Sequence, residues 1–154
     1  MAGKEIKWLR ILHVEDDDND AILFAKACER AGLAVELYRA VDGEHARTYL
    51  LGQGDFLDRA RNPLPHLIVL DLKLPRMDGF EFLKWLRSQK MFAALPVLVF
   101  TASMASDSES RALAEGAQFY FVKPASFENL VQVVGSFRIP EIGSTGLSDS
   151  GGFG

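Results

Sequence analysis

The chain has 154 residues, of which 48% are hydrophobic and 25% are charged, and its net charge is −4. This length suits one domain with a real core, and the lack of a basic excess argues against nucleic acid as a partner. We find no apolar run near the roughly 18 residues of a membrane span and no signal-peptide pattern. The single cysteine, Cys28, excludes an internal disulfide and indicates the cytoplasm; we expect it to be a small core residue.

Five hydrophobic runs alternate along the chain with segments of helical periodicity. The hydrophobic runs predict strands at residues 8–14, 34–40, 66–70, 96–100 and 118–122. The segments between them predict helices at residues 17–31, 43–53, 79–90, 106–116 and 126–137. The run at residues 67–70 is apolar without alternation, which is typical of a strand buried on both faces. Five strand–helix units predict an α/β fold, with helices on both faces of a parallel sheet.

Two segments do not fit this alternation of strands and helices. The joint between the second helix and the third strand, residues 52–65, is longer than such a connection needs. Residues 140–154 are rich in Gly and Ser, which predicts a disordered tail. We therefore expect an N-terminal extension at residues 1–7, followed by a single domain at residues 8–139.

Residues 15–20, directly after the first predicted strand, hold five acidic side chains in six positions. Two carboxylates about 5 Å apart repel by roughly 3 kcal/mol at an effective dielectric constant near 20, so the run is either solvated or offset by a cation. Helix capping explains part of it, because Asp17 or Asp18 can cap the first helix and acids are favourable at its positive end. We assign Asp17, Asp18 and Asp20 to that structural role.

Polar residues that could take part in chemistry follow four of the strands. They are Glu15 and Asp16 after the first strand, Asp71 after the third, Thr101 after the fourth and Lys123 after the fifth. Ligands of open parallel sheets bind beyond the carboxyl ends of the strands, so we expect these residues to meet. Clustered carboxylates suit Mg²⁺, and Asp71 could then attack a phosphoryl group whose oxygens Thr101 and Lys123 hold. Each residue alone has an ordinary structural explanation; their joint occurrence favours a site.

The chain resembles the CheY-like response-regulator receiver domain, the phosphoacceptor module of two-component signalling, over about residues 8–137. The motifs that carry the resemblance are VEDD (14–17), LIVLDLKLPRMDG (67–79), VLVFTAS (97–103) and GAQFYFVKP (116–124). The resemblance implies a three-layer, flavodoxin-like fold with a doubly wound, five-stranded parallel sheet of order 2-1-3-4-5 and five helices. The long joint before the third strand resembles that of stand-alone regulators paired with phytochrome-type histidine kinases.

The resemblance also implies roles for the residues that match the family's motifs. Asp71 would accept a phosphoryl group from a histidine of the kinase. Mg²⁺ would be coordinated by Glu15, Asp16 and Asp71 and by the backbone carbonyl of Lys73. The basic side chain at position 73 is a departure from the family, in which this residue is commonly neutral, and we expect it to tune the phosphate lifetime.

A two-state switch is implied as well. Thr101 and Lys123 would contact the phosphate, and Tyr120 occupies the aromatic switch position, which moves inward as Thr101 follows the phosphate. The bond between Lys123 and Pro124 is expected to be cis, the usual form in this family. The expected partners are a sensor histidine kinase or phosphotransfer protein, a downstream protein that binds the fourth helix, fifth strand and fifth helix, and a second copy of the chain. We expect neither nucleic acid nor membrane as a partner.

Three other functions compete with a phosphorylation-dependent switch. A haloacid-dehalogenase-type phosphatase needs a second Asp two residues after its nucleophile, where this chain has Lys73. A flavodoxin-like cofactor carrier needs a hydroxyl- and glycine-rich loop after the first strand, and this loop is acidic. A pseudo-receiver is a binding module that has lost phosphotransfer, whereas here every site residue is present. We expect no enzymatic activity beyond self-catalysed phosphotransfer to Asp71 and slow autodephosphorylation.

Overall fold

A computed structural model describes residues 9–137. The strands are β1 (Leu9–Val14), β2 (Val35–Ala40), β3 (Leu67–Leu70), β4 (Val97–Thr101) and β5 (Phe119–Val122). The helices are α1 (Asp18–Arg30), α2 (Gly43–Leu51), α3 (Gly79–Ser88), α4 (Ser108–Ala114) and α5 (Phe127–Gly135). All ten predicted elements are present, with ends within one or two residues of their predicted positions. The predicted extension at 1–7 and tail at 140–154 lie outside the described residues, and the domain limits of 8–139 stay a prediction.

The sheet has five parallel strands in the order β2-β1-β3-β4-β5, which confirms the predicted flavodoxin-like topology. The chain places β2 on one side of β1 and then β3 on the other side of β1. This reversal of strand order marks the place where doubly wound sheets bind ligands. The register pairs Val14 with Leu70 and Leu70 with Val99, so β1, β3 and β4 end at one edge.

The core lies in two layers, one on each face of the sheet. Successive residues of β3 face opposite ways: Ile68 packs into the layer under α2, α3 and α4, and Val69 packs into the layer under α1 and α5. Both side chains are fully buried, which explains why this strand shows no polar alternation. Cys28 is buried in the second layer, as predicted, and burial raises the pKa of its thiol to about 12.

The long joint between α2 and β3 is anchored by one arginine. Arg59 donates from Nη1 to the carbonyls of Tyr49 and Asn62, both at 2.9 Å, and from Nη2 to the carbonyl of Leu50 at 2.7 Å. Two of these acceptors are carbonyls of the last turn of α2, and that of Tyr49 also accepts from the N–H of Gly52 at 3.1 Å. The joint therefore packs against the end of α2. Among residues 9–137, no helix is long and apolar enough to cross a membrane.

The close approach of α3 to the end of β3 yields a prediction. A Cβ atom on Gly79 would lie 2.6 Å from the backbone oxygen of Asp71 and 2.6 Å from the Cα of Leu72, whereas one on Gly135 would lie 3.7 Å from the Cβ of Ala31. We expect Gly79→Ala to lower the free energy of unfolding by about 1–3 kcal/mol, because backbone atoms must move. The control Gly135→Ala should leave it unchanged or raise it by up to about 1 kcal/mol. Urea denaturation measures both, and equal effects would contradict the packing described.

Candidate functional site

Three carboxylates meet at the carboxyl ends of β1 and β3. One oxygen from each of Glu15, Asp16 and Asp71 lies within 4.8 Å of the other two. Glu15 and Asp71 are buried, whereas Asp16 is exposed to solvent. The N–H of Asp71 donates to the carbonyl of Val14 at 3.1 Å, so the backbone holds the ends of β1 and β3 together. The group is therefore built on the ends of two paired strands.

Lys123, directly after β5, places its ammonium among these acids. Its Nζ donates to Oε1 of Glu15 at 2.7 Å, to Oδ2 of Asp20 at 2.9 Å and to Oδ2 of Asp71 at 3.0 Å. Burial acts to lower the pKa of Lys123, but the hydrogen bonds from Glu15 and Asp20 and the charge of Asp71 raise it above its ordinary value. The side chain is therefore a fixed positive charge.

One ammonium does not balance the cluster. The cluster holds four carboxylates: three accept from Lys123, and that of Asp16 lies within 4.8 Å of two of these, so the formal net charge with all four ionised is −3. The pKa of Glu15 is raised, first by burial and further by the charge of Asp71, although the hydrogen bond from Lys123 opposes this shift. Oxygen donors carrying excess negative charge are the ligands that Mg²⁺ and other hard divalent cations prefer. Glu15, Asp16 and Asp71 can therefore hold such a cation.

The remaining acids of the run each have their own partner. Asp17 caps α1, since its Oδ1 accepts from the N–H of Asp20 at 2.9 Å. Asp18 pairs with Nη1 of Arg39 at 2.8 Å. Within residues 9–137, Asp16 is the one acid of the run for which we find neither a cation nor a capping bond. Asp17 and Asp18 thus have separate partners, Glu15 and Asp20 share Lys123, and Asp16 is left for a cation.

Asp20 makes a contact that its predicted role at the end of α1 does not include. The sequence assigns it to the N-terminus of α1 alone, and it does lie in the first turn, but its carboxylate also contacts Lys123. Side chains of a helix tilt toward its N-terminus, so Asp20 leans back toward the end of β1. The sequence places Asp20 in the first turn, three residues after the cap Asp17, but does not indicate its contact with Lys123.

Two further predicted site residues, Thr101 and Tyr120, each contact the backbone of Ser103 in the β4–α4 loop. Thr101, the last residue of β4, is fully buried, and its Oγ1 accepts from the N–H of Ser103 at 3.3 Å. Tyr120 on β5 is half-buried and donates its hydroxyl to the carbonyl of Ser103 at 3.2 Å. The backbone N–H of Lys123 donates to the carbonyl of Thr101 at 2.8 Å. Thr101 is thus tied to both the ammonium-bearing residue and the loop that contacts Tyr120.

The β3–α3 loop is held by an ion pair that the sequence did not indicate. Arg76 pairs with the carboxylate of Asp42, which lies at the start of α2 and is fully buried. Among the described non-glycine residues, Arg76 alone has a positive φ, 62°, a conformation that costs roughly 1–2 kcal/mol. In the same loop, the N–H of Lys73 donates to Oδ1 of Asp71 at 3.2 Å, while the Lys73 side chain is exposed.

The expected cis bond before Pro124 is not present. No peptide bond among residues 9–137 is cis, so the bond between Lys123 and Pro124 is trans and the prediction is wrong. The trans form is the lower-energy isomer of an X–Pro bond. With it, the ammonium of Lys123 already reaches Glu15 and Asp71.

Comparison with known proteins shows which family the chain belongs to. The family model of the response regulator receiver domain matches residues 11–135, and the chain belongs to that family. The protein is therefore a receiver-domain response regulator, a signalling protein of a two-component system. Its CheY-like architecture agrees with the resemblance found in the sequence. So does its likeness to regulators of light-sensing systems.

Three solved structures illustrate the likeness. Response regulator RPA3017 in red light signalling of R. palustris is 30% identical, with a TM-score of 0.78 over 83% of this chain and 90% of that one. The phosphorylated cyanobacterial phytochrome response regulator RcpA is 29% identical, with a TM-score of 0.76 over 84% and 90%. The Mn²⁺-bound form of response regulator Rcp1 is 28% identical, with a TM-score of 0.74 over 86% and 99%.

The unbalanced charge yields a prediction about divalent cations. We expect excess MgCl₂ to raise the free energy of unfolding by about 1–3 kcal/mol relative to EDTA, because the cation binds only the folded cluster. Asp16→Asn should remove most of this gain and stabilise the metal-free protein slightly, since it relieves repulsion. The matched control Asp18→Asn removes the same charge from an acid already paired with Arg39, and should keep the gain. Urea denaturation with each additive distinguishes these outcomes, and equal loss in both variants would contradict the assignment of Asp16.

Proposed function

We propose that the protein is a phosphorylation-dependent switch in which Asp71 accepts a phosphoryl group from a histidine kinase. The observation that carries this proposal is the contact of Asp71 with Lys123 at 3.0 Å on one side and its approach to Glu15 and Asp16 on the other. A nucleophilic carboxylate, a fixed cation and a divalent-cation site are the parts that phosphoryl transfer requires.

The reaction is a displacement at phosphorus. A carboxylate oxygen of Asp71 forms a bond to the phosphorus of the donor phosphohistidine, the P–N bond breaks, and its electron pair returns to the imidazole. The ammonium of Lys123 neutralises negative charge on the phosphoryl oxygens, and the hydroxyl of Thr101 donates to one of them. Glu15, Asp16 and Asp71, with the carbonyl of Lys73, would hold Mg²⁺, which would supply further charge neutralisation.

The phosphoryl group of the product carries about 1.5 to 2 negative charges at the rim, in place of the single charge of the Asp71 carboxylate. We propose that Thr101 moves toward the new phosphate and that the β4–α4 loop moves with it, because Ser103 bonds to the Thr101 hydroxyl. Tyr120 then exchanges its bond to the carbonyl of Ser103 for an inward position. The surface of α4, β5 and α5 changes shape, and a downstream protein binds it. This is a shift between two states that the local charge biases.

The comparisons support the partners that we propose. RPA3017 acts in red light signalling and RcpA is a phytochrome response regulator, which supports a phytochrome-type kinase, or a phosphotransfer protein, as the donor. The Mn²⁺ held by Rcp1 supports a divalent cation as cofactor. We propose that the protein works in the cytoplasm; its self-association into a homodimer stays a prediction.

Replacing the acceptor tests the proposal. With Mg²⁺ and phosphoramidate or acetyl phosphate, the native protein should gain one phosphoryl group, seen as a mass increase of the intact protein, and Asp71→Asn should gain none. The control Asp55→Asn alters an exposed acid in the long joint and should react like the native protein. Steady release of phosphate from the donor would instead indicate a phosphatase, and no reaction at all would indicate a pseudo-receiver.

A second prediction concerns Lys73, whose exposed side chain lies two residues after the acceptor. We expect Lys73→Asn to lose its phosphoryl group roughly two- to fivefold faster, because an exposed cation that neutralises the phosphate is removed. Phosphorylation itself should still occur. The control is Lys84→Asn, which removes an exposed lysine of α3. Decay of the phosphorylated protein after donor removal, followed by intact mass, gives the rates; equal rates for native protein and Lys73→Asn contradict the idea.

A further inference from the structure

The hydrogen-bonding capacity of Lys123 is fully used in the resting protein. An ammonium has three N–H donors, and three carboxylates accept from Nζ, those of Glu15, Asp20 and Asp71, at distances of 2.7 to 3.0 Å. A phosphoryl oxygen that enters the site therefore has to compete with a carboxylate for the lysine.

The three carboxylates differ in what it costs to release them. Glu15 is 1% exposed, and without Lys123 it would keep a buried charge that water cannot reach. Asp71 is the acceptor itself. Asp20 is 42% exposed, so water can solvate its carboxylate when the lysine turns away. Asp20 is therefore the contact that the incoming group displaces.

Asp20 also acts on the donor through its charge. Its Oδ2 and that of Asp71 both contact the same nitrogen, so they are no more than about 6 Å apart, a range at which like charges repel appreciably. A phosphoryl donor is an anion. Asp20 therefore opposes its approach twice, by holding Lys123 and by repulsion.

We infer that Asp20 is a positioning residue that keeps Lys123 within the acid cluster and thereby slows phosphorylation of the resting protein. This inference rests on the proposed function of Asp71 as acceptor. In the phosphorylated protein, Lys123 turns from Asp20 to the phosphate, and Asp20 faces solvent. Sequence alone gives Asp20 a helix-end role, which its contact with Lys123 extends to the chemistry of the site.

Two substitutions separate the contact from the charge. Asp20→Asn removes the charge but keeps an oxygen that can accept a weaker hydrogen bond, and Asp20→Ala removes the acceptor as well. At saturating Mg²⁺, determined for each variant, the second-order rate constant for phosphoramidate should rise roughly threefold in Asp20→Asn and up to about tenfold in Asp20→Ala. In Asp20→Ala, hydrogen exchange of the Lys123 ammonium, followed by NMR, should also become faster.

The matched control is Asp18→Asn. It removes one negative charge from the same helix turn, but Asp18 is 85% exposed and pairs with Arg39, so the rate should change less than about twofold. Rates that stay the same or fall in the Asp20 variants, a rise no larger than that of Asp18→Asn, or unchanged ammonium exchange would each overturn the inference.

Failure of the inference is distinguishable from failure of the proposed function. If the native protein reacts and Asp71→Asn does not, while the Asp20 variants are no faster than native, only the role of Asp20 is overturned. If the native protein itself gains no phosphoryl group, the function proposed for Asp71 is overturned, and the inference with it.

Discussion

The structure depends on a local excess of negative charge at one rim of the sheet. Acids from the β1–α1 loop and from the end of β3 surround a single ammonium. Without compensation, each pair of carboxylates about 5 Å apart would repel by roughly 3 kcal/mol at an effective dielectric constant near 20. The compensation is divided between elements: Lys123 from β5, the capped N-terminus of α1, and Arg39 of β2, whose Nε donates to the carbonyl of Glu15 at 3.0 Å. The negative charge that remains favours the binding of a divalent cation.

The backbone keeps this arrangement rigid. Asp71 is bonded to Val14, and Lys123 to Thr101, by main-chain hydrogen bonds that continue the sheet beyond its regular pairs. Charged groups held on strand ends lose little entropy when a ligand arrives, which is why sites on regular elements are better preorganised than sites on free loops. The β3–α3 loop, which has no such strand pairing, is held instead by the ion pair between Arg76 and Asp42.

Much of this could be predicted from the sequence, for a physical reason. Burial on both faces leaves a plain apolar run for each central strand, and parallel strands end at one rim, so residues such as Asp71 and Lys123 could be placed near each other before any coordinates were known. The contacts of Asp20 and the pairing of Arg76 could not, because they depend on side-chain direction and on how loops cross. The prediction of a cis bond before Pro124 was wrong, because it rested mainly on the usual form in the family.

The ion pair between Arg76 and Asp42 has a consequence for evolution of the domain. It joins the acceptor loop to the turn that follows the edge strand β2, although β2 supplies no ligand or nucleophile. Because Asp42 lies outside the acid cluster, a substitution there would reach the acceptor loop while every reactive group stays unchanged. Related domains with the same reactive groups can therefore differ in how firmly that loop is held.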